Sequence, residues 1–198
     1  HTLQPLRSIR TMVNPDVTTI GLQTGFYVLF AIIAYFVESG QEFKWRTASD
    51  LRWVILDTFV LIFIYGLYRF REGLTHQAYD IESKKDTPQE PLVQSDAATN
   101  APALIRNAER TAGNTAEQLP LFILSMWLYG NVRPVTAGVM GGIELLLIAL
   151  YPFLYGTGKK HGALLPISTI PRYIMNEYMA VASVMTIFGL VRKAADDA

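Results

Sequence analysis

Four polar side chains, Arg106, Arg110, Asn114 and Glu117, follow one another at steps of four, four and three in the stretch RNAERTAGNTAEQLPLF. On an α-helix those steps fall on one stripe. The stripe offers guanidinium, amide and carboxylate groups side by side. A second set lies in YPFLYGTGKKHGALLPISTIPR, where Tyr151 and Tyr155 are one helical turn apart and a Gly-Thr-Gly break leads into Lys159, Lys160 and His161. Each set has a plainer reading: a salt-bridged helix entrance for the first, an interfacial aromatic belt with a basic loop for the second. Brought together, they supply guanidinium, carboxylate, amide, phenol and ammonium groups, a set that suits a small zwitterionic ligand.

Bringing them together is the work of the apolar segments between. Of 198 residues, 51% are hydrophobic and 17% charged, a composition of membrane proteins rather than small soluble domains. Five apolar segments bounded by charge are expected as membrane helices: Ile20 to Val37, Trp53 to Tyr68, Leu119 to Val132 with a helical lead-in, Val135 to Tyr155, and Tyr173 to Val191. The second is short for a span and relies on snorkelling flanks. NPD at Asn14 to Asp16 reads as a turn or helix start, NVRP at Asn131 to Pro134 as a tight reversal, and THQAYDIESKKDTPQEPLVQSDAATNAP as a long surface loop. Five crossings put the loops after segments two and four on the same side. The charged entrance of segment three therefore meets the polar end of segment four. A slight Lys and Arg excess on that side points it toward the cytoplasm or matrix. Ionisable groups near hydrocarbon are costly when unpaired, so the stripe is expected to face other helices or a wet cavity.

The chain has no cysteine, so any thiol chemistry has to come from a bound molecule. Three scattered histidines without HExxH spacing give no metal site, and zero net charge without a basic run speaks against nucleic acid as a partner. The start HTLQPLRSIR, with arginines before any acidic residue, reads either as an end left by removal of a targeting peptide or as a trimmed or disordered start, with the first somewhat favoured. The first favours the mitochondrial inner membrane, with the endoplasmic reticulum as the alternative.

At the two polar patches the chain resembles the MAPEG family, the membrane-associated proteins in eicosanoid and glutathione metabolism. ERTAGNTAEQLPLF is similar to the family's R-x3-N-x2-E signature, and LYPFLYGTGKKHGAL to its Y-x3-Y pair followed by a Gly-rich basic turn. The resemblance covers roughly Val54 to Leu190. It implies an all-α integral membrane fold: a MAPEG-like four-helix bundle in residues 53–198, preceded in residues 1–52 by an additional transmembrane helix. It further implies a homotrimer with glutathione held between subunits, contacted by Arg110, Asn114 and Glu117 and lined by Tyr151 and Tyr155. The implied chemistry is attack by the glutathione thiolate on a lipophilic substrate arriving from the membrane lipids. A thiol titrates near about 8.5, and a fixed cation beside it raises the thiolate fraction.

Several positions depart from the family pattern. Ile148 stands where its enzymes carry an arginine three residues before the tyrosine pair, Ala112 replaces a glutamine, and Gln118 replaces a tyrosine. The arginine credited with holding the thiolate aligns near His161, leaving Lys159, Lys160 and His161 as the candidate catalytic groups. Lysine acts there as a point charge without the guanidinium fork, and histidine is mostly neutral at pH 7. Two readings follow. One is transfer of glutathione to lipophilic electrophiles, or reduction of lipid hydroperoxides, with weakened catalysis. The other is a non-catalytic structural subunit of a large mitochondrial inner-membrane complex.

Overall fold

The computed structural model describes residues 15–85, 96–155 and 164–192, with side chains over 21–81, 103–155 and 164–192. These residues form five helices and no strand: α1 (Pro15–Val37), α2 (Arg52–Lys85), α3 (Asp96–Gly130), α4 (Pro134–Tyr155) and α5 (Leu165–Ile187). All five apolar segments are helical. The basic loop with Lys159, Lys160 and His161 lies outside the described residues, as does the amino-terminal stretch before Pro15.

Local chemistry sets the helix ends. Pro134 begins α4, and a proline sits in the first two positions of α5. There the missing N–H costs nothing and the ring fixes φ. Ahead of α2, Thr47 donates to Asp50 through both its backbone N–H and its hydroxyl, at 3.2 and 2.8 Å. These hydrogen bonds hold the Asp50 carboxyl below its usual range. After α1 the chain turns through Gly40 at φ 72°, a backbone state that glycine adopts without Cβ strain. The Arg133 Nη2 caps the exposed end of α1 by donating to the Val37 carbonyl at 2.7 Å.

The expected long loop is much shorter than the sequence suggests. Helix α2 continues past Tyr68 to Lys85 and α3 begins at Asp96, so residues 75–85 and 96–102 are helical. The apolar run does end near Tyr68, but helix does not need apolarity. Straight-chain polar residues propagate it, and local pairs support it: Arg69 to Glu72 at 2.6 Å within α2, and His76 to Glu109 at 3.2 Å across to α3. Helix α5 likewise starts earlier than the apolar segment, at Leu165.

Helices α2 to α5 pack around a common core, with α3 and α4 each touching the other three, whereas α1 packs on α5 alone. Leu61, Phe122, Met126, Ile148 and Met179 are at its centre. Two helical stretches, Arg52–Ile81 and Pro134–Tyr155, are long and apolar enough to cross a bilayer, and Gly21–Val37 is a shorter apolar helix. Helices α3 and α5 carry more polar residues, and those that face inward include Asn107, Thr111, Gln118, Arg172 and Asn176.

The end of α1 is fastened by Glu38, whose side chain is fully buried. Its Oε1 accepts from the hydroxyls of Tyr129 on α3 at 2.7 Å and Tyr178 on α5 at 2.8 Å, while Oε2 accepts from Arg133 Nε at 2.6 Å. One carboxylate thus ties α1 to α3, α5 and the α3–α4 turn.

Close approach of α2 and α4 depends on Gly138. A Cβ there would lie 2.4 Å from Trp53 Cβ, an atom fixed to its own backbone, whereas a Cβ on Gly142 would meet nothing within 4 Å. Gly138→Ala is therefore expected to cost about 1–3 kcal/mol by overpacking. Gly142→Ala should be neutral or stabilising by up to about 1 kcal/mol. Thermal unfolding of the detergent-solubilised protein measures both, and equal effects would contradict this helix contact.

Candidate functional site

The alternating helix directions bring the late part of α2, the early part of α3, the late part of α4 and the early part of α5 to one end of the bundle. A proline helps lock that end. Pro152 has no N–H to offer the Ile148 carbonyl four residues earlier, and the Tyr68 hydroxyl donates to that carbonyl instead at 2.9 Å. Buried Asn107 joins three helices: it accepts from Arg71 Nη2 of α2 at 2.9 Å and donates to the Pro152 carbonyl of α4 at 3.0 Å. Ser168 of α5 donates to the Leu147 carbonyl at 2.7 Å.

Inside this frame sits an enclosed pair of ionisable side chains, one basic and one acidic. Arg172 and Glu144 are both 0% exposed. The Arg172 Nε donates to the Ser168 carbonyl at 3.1 Å, and its guanidinium lies 5.5 Å from the centre of the Tyr151 ring. That is cation–π distance. Its two terminal nitrogens have no hydrogen-bond partner among the described residues. Glu144 accepts from Asn176 Nδ2 at 2.7 Å through Oε1, while its Oε2 also lacks a partner among the described residues. Ser125 of α3 extends the network to Asn176 Oδ1 at 3.3 Å. Arg172 and Glu144 interact electrostatically without forming a direct ion pair. Tyr151 is itself buried and stacks on Tyr155 with ring centres 5.9 Å apart.

The sequence-derived site residues of the described chain come together only in part. Arg110 and Glu117 of α3 lie within electrostatic reach of the Tyr151 phenol, as does Arg172. Asn114 is half-buried: its Oδ1 accepts from Gln118 Nε2 at 3.4 Å, and its Nδ2 is enclosed without a partner among the described residues. The expectation that the stripe faces inward is corrected by the structure. Arg106, Arg110 and Glu117 are exposed on the single chain. The row that faces the other helices is offset by one residue, about 100° around the helix. It comprises Asn107, Thr111, Thr115 and Gln118, all buried. Thr111 and Thr115 bond back to the carbonyls four residues earlier, at 2.7 and 2.8 Å, which satisfies their hydroxyls within α3 itself.

Three functional candidates were not singled out from the sequence: Arg172, Glu144 and Asn107. The signal for the first two was present, since an ionisable residue inside a predominantly apolar helix marks a site. Asn107 was hidden by its neighbour Arg106, whose charge drew the stripe to the wrong face. Among the described residues, no group of three or more His, Cys, Asp or Glu side chains is placed to hold a metal ion. Comparison with protein-family models, curated proteins and solved structures yields no match to the chain.

A basic and an acidic side chain enclosed in one interior should behave as a unit. Removing one leaves the other buried and uncompensated. Arg172→Met and Glu144→Leu are each expected to lower stability markedly, and the double variant to recover part of the loss, with a coupling of about 1–3 kcal/mol. A double-mutant cycle on thermal unfolding measures it, and simple additivity would show that the charges do not compensate one another.

Proposed function

We propose that the chain is an integral membrane protein of the MAPEG type that binds glutathione at the outer row of α3 and transfers it to lipophilic electrophiles. The observation that carries this reading is that Arg110 and Glu117 of α3 and Arg172 of α5 all lie within electrostatic reach of Tyr151 on α4. Glutathione bears two carboxylates, an ammonium, two amides and a thiol. Arg110 suits a carboxylate, Glu117 the ammonium, and the enclosed Asn114 Nδ2 and Gln118 Oε1, both without partners among the described residues, suit the peptide groups. The donor set fits the ligand.

Exposure of Arg110 and Glu117 on the single chain supports the same reading. Charges on an apolar bundle call for cover or water, and a second copy of the chain closing over the α3 row supplies a cleft between subunits. Tyr151 presents its phenol to that cleft with Arg172 behind the ring. The buried guanidinium provides a fixed positive charge where the family pattern has lost its arginines at Ile148 and His161. In that setting Tyr151 donates a hydrogen bond to an anion, and its strength as a donor is raised by the cation at its face. Lys159, Lys160 and His161 follow closely after Tyr155 in the chain and belong to the same proposal, the two lysines as further cations. When glutathione is bound, the chemistry it supplies is nucleophilic: the thiol gives its proton to solvent, its sulfur forms the bond to an electrophilic carbon, and a leaving group departs with the displaced electron pair.

Titration calorimetry with glutathione, on protein held in lipid nanodiscs, tests the reading. Arg110→Ala and Glu117→Ala are each expected to weaken binding at least about tenfold, about 1.4 kcal/mol. Arg52→Ala, at the opposite end of α2, should leave binding unchanged. Wild-type affinity in both α3 variants would remove the site.

A further inference from the structure

Helices α1 and α5 run side by side and leave a groove of about 490 Å³ between them. Its walls are mostly apolar, with the aromatic rings of Phe26, Tyr27 and Phe30 from α1 and Tyr173 from α5 beside Ile170 and Ile174, and Glu177 of α5 enters the lining. A second groove of about 380 Å³ shares Tyr27 and Glu177 with the first and extends along α5 past Val181. Glu177 thus stands at the junction of two apolar grooves, far from the Tyr151 site in its chemistry and its neighbours.

This carboxyl differs from the two that fasten the helices to one another. Glu38 has three donors and Glu144 has Asn176. Among the described residues, Glu177 has neither an ion pair nor a hydrogen bond, and it stands half-buried beside Tyr27 and Tyr173. Tyr27 is engaged by Gln23 Nε2, which donates to its hydroxyl oxygen at 3.1 Å and so helps fix the ring at the groove wall. A carboxylate in an apolar setting is costly until a counter-charge arrives. Aromatic faces attract cations as well, through their quadrupole. A neutral hydrocarbon tail would fill the volume and leave the carboxylate unused.

We infer that the α1–α5 groove is a binding site for a lipophilic monocation, an ammonium-type head set against Glu177 and flanked by the rings of Phe26, Tyr27 and Tyr173, with an apolar tail along the groove. The volume is in the range of sites that enclose a drug-sized molecule. The site is formed in part by the helix that is additional to the bundle, which gives α1 a role in ligand binding besides its attachment through Glu38. It does not depend on the glutathione reading.

The test uses the full chain in nanodiscs of zwitterionic lipid, with a photoreactive alkyl-trimethylammonium probe and a neutral alcohol carrying the same photoreactive tail. The cation is expected to label peptides of α1 and α5. Glu177→Gln, which keeps size and shape, should raise its half-saturating concentration at least about tenfold, a loss of about 1.4 kcal/mol. Labelling by the neutral probe should be the same in wild type and variant. Phe26→Leu, which leaves the carboxyl in place, should weaken the cation several-fold and the neutral probe little, and this comparison carries the test if Glu177→Gln fails to fold. Equal labelling by the two probes in the wild type, or a cation affinity indifferent to both substitutions, would overturn the inference.

Discussion

A charged or hydrogen-bonding group enclosed by apolar helices has to find its partner inside the protein, because neither hydrocarbon nor packed side chains can replace water. That constraint decides how these helices sit. Glu38 draws donors from α3, α5 and the α3–α4 turn onto one carboxylate. Asn107 links α2, α3 and α4. Arg172 and Glu144 bring α4 and α5 together around charges that share one interior. Apolar contacts such as those of Phe122 and Met126 fill the core, but they would tolerate sliding and rotation that the polar links do not.

Helix α3 shows how one element meets two demands. Its inner row, Asn107, Thr111, Thr115 and Gln118, is buried and serves the bundle. Its outer row, one residue out of phase, carries Arg110 and Glu117 at the surface of the single chain. The two rows meet at Asn114 and Gln118, whose amides bond each other yet retain enclosed atoms without partners. Behind the outer row Tyr151 separates the surface charges from the enclosed Arg172, so a cation withheld from solvent still acts at the phenol.

The helices themselves were legible from the sequence because each has an apolar run bounded by charge or by proline. The tight reversal at Asn131 to Pro134 was equally clear. So was the meeting of the α3 entrance with the end of α4, because two successive antiparallel helices return the chain to the end it left. Two things were not legible. The extension of α2 to Lys85 and the start of α3 at Asp96 involve polar residues whose helicity comes from propensity and pairs, not from apolar periodicity. The rotation of α3 was also hidden, since charge spacing shows that residues share a face without showing what that face meets. Arg172 illustrates the same limit from the other direction. In STIPRYIMNE it looks like a flank of an apolar segment, and only the early start of α5 at Leu165 places it about two turns inside the helix.

The central claim is that the outer row of α3 and the Tyr151 end of α4 form one pocket for a zwitterionic thiol peptide. The most direct measurement is photolabelling of the membrane-embedded protein with a photoreactive glutathione analogue, followed by peptide mapping with and without excess glutathione. Labels on the 106–118 and 148–155 segments that disappear under competition are the expected result. Labels placed elsewhere, or indifferent to competing glutathione, would contradict the account.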